Sequence, residues 1–152
     1  TGAKQLIGMR RQMSFARNTT QQLWQEFMPR RKEVVDAVNN DLYSLQVYPT
    51  GFYENFDPQR IFEKWALLEV SKTGTAPAGM EIFSLPEGLY AVFNYKGSAA
   101  AAETAYRYIF MEWLPLSGYK LDNRPHFEIL GEKYKHNQED SEEEIWIPVI
   151  PV

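Results

Sequence analysis

The chain has no cysteine, which rules out a disulfide framework, a thiolate nucleophile and any sulfur-ligated zinc or iron site. Histidine is nearly as scarce. His126 and His136 are the only two, and neither stands at a metal-ligand spacing from another histidine or a paired carboxylate, so no metal is expected. No stretch reaches the roughly eighteen consecutive apolar residues of a membrane span, and Thr1-Gly2-Ala3-Lys4 leads into no apolar run of signal-peptide length. A cytoplasmic protein without membrane contact is the expectation. Positive charge is also in deficit, with 16 Lys and Arg against 20 Asp and Glu and a net charge of -4. A broad phosphate-binding surface needs the opposite balance, so no direct nucleic-acid contact is expected. There is no Gly-x-Ser-x-Gly elbow, no glycine-rich phosphate loop and no nucleophile set beside a base, and no cofactor is expected.

Aromatic residues, by contrast, make up 14% of the chain and include nine Tyr and four Trp. Tyr and Trp join a large apolar face to a polar edge, which suits a solvent-reachable pocket as well as a core. A hydrophobic fraction of 44% and a charged fraction of 24% are those of a folded globular protein. At 152 residues the chain is expected to form one domain, residues 1–152, around one core.

Hydrophobic spacing divides the chain into two halves. Residues 4–15 read as a strand. Thr19 or Thr20 can cap a helix carrying Leu23, Phe27, Val34 or Val35, and Val38, bent at Pro29 and ending near Asn39-Asn40. Residues 42–48 alternate, with Tyr43, Leu45 and Val47 on the apolar face, and residues 62–70 form another strand. After a loop at 71–79 the order repeats. Strands over 80–85 and 88–95 lead to Ser98, a candidate cap for a helix over 99–113 with Ala102, Tyr106, Ile109 and Trp113 on one face. Strands over 124–134 and 144–149 follow, joined by an acidic hairpin, Asn137 to Glu143. The halves, about 4–70 and 80–150, are therefore duplicated strand-helix-strand-strand units. They predict an α+β fold: a concave antiparallel sheet, two helices on its outer side and a central groove lined by strand aromatics on the uncovered face.

The stretch from Ala78 to Ser98, with Ile82-Phe83-Ser84-Leu85-Pro86-Glu87-Gly88 at its centre, resembles the middle of GyrI-like small-molecule-binding domains. These are also known as AraC-type effector-binding domains, of the same duplicated architecture as SOUL domains. Trp113-Leu114-Pro115-Leu116-Ser117-Gly118-Tyr119, Arg124-Pro125-His126-Phe127-Glu128 and Ile145-Trp146-Ile147-Pro148-Val149 extend the resemblance. It covers about 70 residues of the second half; the first half matches only in element order. The resemblance implies a groove for drug-like, often cationic or amphipathic compounds, with a glutamate in a Pro-x-x-Glu strand, here Glu128. Two residues further on, where the family usually has Tyr, stands Leu130. No local haem-binding motif is present that would favour the haem-binding relatives.

A carboxylate on the floor of an aromatic groove is costly to desolvate, and a cation that pairs with it while stacking on rings offsets that cost. The bland alternative for Glu128 is a surface ion pair. Phe93, Tyr95, Trp113 and Trp146 are the candidate walls, with Trp113 able instead to seal helix to sheet and Trp146 to pack an edge strand. Trp65 and Tyr48 complete the groove by pseudo-symmetry or serve as core. Arg30-Arg31-Lys32 and Glu142-Glu143-Glu144 read as solvated faces. The expected function is that of a sensor or sequestering protein for small hydrophobic, aromatic or cationic molecules. Two alternatives follow from the resemblance: a hydrolase of strained electrophiles such as cyclopropane-containing toxins, using Glu128 and Trp113, and an inhibitor of a protein such as a topoisomerase.

Overall fold

Eight strands and two principal helices carry the chain in a computed structural model that describes residues 1–98, 101–136 and 138–152. The first half runs β1 (Lys4–Met13), α1 (Thr20–Phe27), β2 (Ala37–Val47) and β3 (Phe62–Val70). Strands β4 (Glu81–Leu85) and β5 (Tyr90–Lys96) follow, then α2 (Ala102–Tyr108), β6 (Tyr119–Leu121), β7 (His126–Leu130) and β8 (Glu142–Pro151). All pairings are antiparallel, in the order β4-β1-β3-β2-β7-β8-β5, with β6 added beside β8. The halves contribute β1-β3-β2 and β5-β8-β7, which mirror one another and join where β2 pairs with β7.

Strands β4 and β5 sit at opposite edges of this sheet yet are consecutive in sequence. Laid flat, seven strands about 4.8 Å apart would separate the edges by about 29 Å, whereas the chain from Leu85 to Tyr90 reaches at most about 18 Å. The sheet must therefore curl. Its inner face closes on a core of Leu6, Tyr43, Leu45, Trp65, Leu67, Leu85, Tyr90 and Phe127, all buried. The odd positions of β2 supply this core, as their alternation predicts. At β1 the approach is so close that a Cβ on Gly8 would collide with the Ala66 carbonyl of β3.

The outer face carries both helices. Leu23 and Phe27 of α1 pack on Ile7, Met9, Leu42, Ala66, Leu68 and Val70. Ile109, just beyond α2, packs on Ile145, Ile147 and Val149 of β8. Each helix covers one end of the sheet, and the central strands β2 and β7 are left between them.

The first helix is shorter than its apolar spacing predicts. It ends at Phe27, a 3₁₀ turn spans Met28–Glu33, and β2 has begun by Ala37. Pro29 has no N–H to return to the preceding turn, and Val34 is already extended at φ -83° and ψ 95°. Val34 is buried, but Val35 and Val38 are 86% and 52% exposed, and Asn39-Asn40 belong to β2. Thr19 stands at the N-cap of α1, as expected, but its side chain makes no capping bond; the Asn18 Oδ1 accepts the Thr20 N–H at 3.0 Å instead. In the second half the Ser98 hydroxyl accepts the Ala101 N–H at 3.3 Å; the expected helix start at Ala99 lies outside the described residues, as does Asn137 of the acidic hairpin. The chain widens into a π turn over Ile109–Trp113, immediately before Pro115, which has no N–H to give Met111. Strand β6 has no counterpart in the sequence reading, β7 is shorter than 124–134, and β8 starts two residues before 144.

Candidate functional site

The strip of sheet between the helices is built from side chains that a core would not choose. The even positions of β2 point outward there, and so do those of β7 and β3 that pair with them: Ser44 opposite Glu128 and Ala66, and Gln46 opposite His126 and Lys64. Six polar residues are buried among the described residues, and four of them, Ser44, Gln46, Lys64 and His126, lie on this strip. Buried polar groups are the informative exception in an apolar interior, and a cluster of them in a cleft is a candidate functional site.

Above the strip two adjoining cavities of about 800 and 730 Å³ share Asn18, Thr20, Lys64, Tyr106 and Glu128, forming one groove with two lobes. The first lobe is the more polar, with Trp24 of α1 and Tyr95, Tyr134 and Glu143 around it. The second is aromatic, walled by Phe15, Tyr48, Tyr53, Phe56 and Phe110 with His126 on its floor. Its rings brace one another. Tyr53 stacks on Phe110 at 5.1 Å, and Tyr48 meets Tyr53 and His126 edge-on, each at 5.1 Å.

Glu128 stands where the lobes meet. Its Oε1 accepts the Gln46 side-chain N–H at 3.2 Å and lies 3.9 Å from the Lys64 ammonium, with both side chains of the ion pair largely buried. Burial pushes the carboxyl above the usual carboxylate range, while Lys64, Gln46 and a hydrogen bond from Tyr106 act against the rise. Lys64 is held below the ordinary lysine value by burial, opposed by the charges of Glu128 and Glu143. Glu143 is pushed up to about 7, first by burial and then by the charge of Glu128. His126 is held down to about 4 by burial and is neutral at pH 7. Tyr48 and Tyr106 are raised well above the ordinary phenol range, chiefly by burial, and Tyr53 is raised to about 12. All three remain hydroxyl donors. The groove thus offers one paired carboxylate, a second carboxyl poised between its two forms, several phenols and a wall of rings.

Of the residues singled out in the sequence, Glu128, Tyr95 and Tyr48 line this groove. Phe93 points to the same face but lies under Trp113, whose indole meets it edge-on at 5.1 Å; Trp113 seals helix to sheet and is not among the cavity-lining residues. Trp65 and Trp146 are on the opposite, inner face. Trp65 is 4% exposed and donates its indole N–H to Glu63 at 2.6 Å. Trp146 stacks on Phe127 at 5.2 Å and donates to Glu144 at 3.0 Å. The groove opens on the helix-bearing face because the curl of the sheet fills the other one. Glu143 also departs from the solvated hairpin read for Glu142-Glu143-Glu144, since β8 starts at Glu142 and its pleat turns Glu143 to the same side as Ile145.

Lys64, Glu143, Trp24, Tyr53 and Phe110 carry no motif. Lys64 does leave a trace: it interrupts the otherwise apolar face Phe62, Ala66, Leu68, Val70 of a central strand. Trp24 and Tyr53 come from a helix face and a loop whose positions depend on the fold.

The sequence matches the model of the GyrI-like small molecule binding domain over residues 2–150. It is 26% identical over 146 residues to the transcriptional regulator BrlR of Pseudomonas aeruginosa, a match covering 95% of this chain and 51% of that protein. The chain therefore spans about half the length of this relative. Among solved structures, the fold is similar to that of SAV2435 bound to tetraphenylphosphonium, with a TM-score of 0.73 at 15% identity over 99% of this chain and 90% of the other. It is also similar to EcmrR in a complex with DNA, with a TM-score of 0.70 at 18% identity, covering all of this chain and 56% of that one.

Proposed function

Because the chain belongs to the family of GyrI-like small-molecule-binding domains, we propose that it takes up small aromatic or amphipathic cations in the two-lobed groove, acting as a sensor or a sequestering protein. The observation that carries this reading is the position of Glu128, a buried carboxylate at the junction of a polar and an aromatic lobe. An incoming cation offsets the desolvation that burial imposes on the carboxylate, and ring faces in the aromatic lobe take its apolar surface. The similarity to a structure holding tetraphenylphosphonium, a lipophilic aromatic cation, supports this ligand class. The similarity to a transcriptional regulator of about twice the length supports the sensor role. A net charge of -4 fits a small-molecule partner better than nucleic acid. A cytoplasmic setting fits the absence of cysteine, and among the described residues no helix is long and apolar enough to cross a membrane.

The hydrolytic alternative rests on Glu128 acting with Trp113, and Trp113 packs on Phe93 instead of lining the groove. Binding is the better supported reading.

Trp24 is the one tryptophan that lines the groove among the described residues, so it serves as the optical reporter. Titration with aromatic cations and matched neutral compounds is expected to quench wild-type fluorescence, with a preference for the cations. Trp24→Phe keeps a ring on the wall and should lose most of that signal. Glu128→Gln keeps the size of the side chain and removes its charge; it should weaken cation binding at least tenfold, about 1.4 kcal/mol, and leave neutral compounds little changed. Equal affinity of the wild type and Glu128→Gln for the cations would remove Glu128 from the site.

A further inference from the structure

We propose that Lys64 is the resident counter-cation of the groove, an internal competitor that a bound ligand displaces from Glu128 and that then turns to Glu143. This rests on the reading of the groove as a cation site and assigns a specificity-determining role to a residue that no sequence motif marks. Four observations carry it. Lys64 is 8% exposed, and its one ion pair among the described residues is the 3.9 Å contact with Glu128, longer than a hydrogen bond. The pair is close enough to hold the charge and loose enough to be exchanged. Lys64 lines both lobes, as Glu128 does, so a cation approaching the carboxylate from either side meets the ammonium. The aliphatic stem of Lys64 is anchored on β3, two strands from β7, and its head reaches across β2 to Glu128.

The fourth observation is the presence of a receiver. Glu143 lines the polar lobe and has no ion-pair partner within 4.0 Å among the described residues. It sits on β8 two residues before Ile145, which pairs directly with Glu128, so both carboxyls occupy the same sheet face on neighbouring strands. The Lys64 charge acts on both. When a ligand takes Glu128, the displaced ammonium has a second carboxylate within the same lobe and need not be buried unpaired, which would be costly. The pair therefore sets a threshold: weak or poorly fitting cations fail to displace Lys64, and only ligands that also fill the aromatic lobe succeed.

The test is a double-mutant cycle read by calorimetry with tetraphenylphosphonium, a permanent cation, at pH 8 where protonation of the carboxyls competes least. Lys64→Met removes the competitor and is expected to bind the phosphonium about tenfold more tightly than the wild type. Glu143→Gln removes the receiver and is expected to weaken binding several-fold in the wild-type background and markedly less in Lys64→Met, where only the direct pull of the carboxylate on the ligand is lost. Lys64→Gln, with a polar head, repeats the first comparison should the Met variant fold poorly, and melting curves confirm folding of each. Binding to Lys64→Met and Lys64→Gln no tighter than to the wild type would overturn the proposal, as would an equal effect of Glu143→Gln in both backgrounds. Absence of phosphonium binding to every variant would overturn the cation reading itself, and this proposal with it.

Discussion

Two side chains on the groove titrate in opposite directions over the same pH range. His126 is neutral in the folded protein down to about 4, against an ordinary 6.5, because burial disfavours its charged form. Below pH 6.5 the unfolded chain takes up a proton that the folded one refuses, so stability is lost on acidification, by about 2 kcal/mol at pH 5. Glu143 holds its proton up to about 7 when folded, against an ordinary 4.5, and its burial therefore destabilises the protein as pH rises from 4.5 through 7. The sign for Glu143→Gln follows. Relative to the wild type, the variant is expected to gain stability steadily from pH 4.5 to 7, read as a widening difference in urea midpoints. A difference independent of pH would contradict the environment described for Glu143. Lys64 and Glu143 also mark the limit of reading single residues from sequence. A lysine amid Phe62, Ala66, Leu68 and Val70 is an anomaly that can be seen in the chain, but nothing local says that its head meets Glu128, 64 positions away.

Among the elements, β2 carries the most information per residue. Its odd side chains build the inner core and its even ones the groove floor, so one alternating stretch separates stability from function. Substitutions on the two faces should differ accordingly. Phe127 pairs with Leu45 across from β2, is fully buried and contacts Tyr43, Tyr90 and Trp146. Phe127→Ala is expected to cost about 3–5 kcal/mol of stability, measured by chemical unfolding. Ser44→Ala on the other face should change stability far less, and a loss as large as that of Phe127→Ala would contradict the assignment of faces. The alternation of β2 and the helix face of Tyr106 and Ile109 were legible because period and amphipathicity are local properties. The stop of α1 was partly legible in Pro29, yet Val34 and Val38 at helical spacing imitate a continuing helix. Only the extended backbone at Val34 and the pairing of β2 with β3 separate the two.

At the scale of the molecule, the four residues between β4 and β5 leave the sheet only one free face. Joining opposite edges forces the curl, the curl turns Trp65, Trp146 and Tyr90 into core, and the groove is left on the side of the helices. Duplication was legible from element order and from the motif-rich second half. The hand of the curl was not, because it depends on the strand order β4-β1-β3-β2-β7-β8-β5, in which neighbours come from distant parts of the chain. That is why Trp65 and Trp146, sound candidates by residue type, fall on the wrong side. Gly8 tests the same geometry. Gly8→Ala sets a methyl group against the Ala66 carbonyl, so β1 must shift from β3, and a lowered melting temperature is expected; an unchanged one would contradict the close approach of these strands.

The most direct test of the central claim is to locate a bound cation. Diffraction from crystals grown with a bromophenyl-substituted tetraphenylphosphonium gives the ring positions from the anomalous signal of bromine and the charge from the centre of the molecule. The expected result places bromine in the lobe walled by Phe15, Tyr53 and Phe110 and the phosphonium within about 6 Å of the Glu128 carboxylate. Bromine sites on the surface or elsewhere in the fold, with the groove empty at saturating ligand, would contradict it.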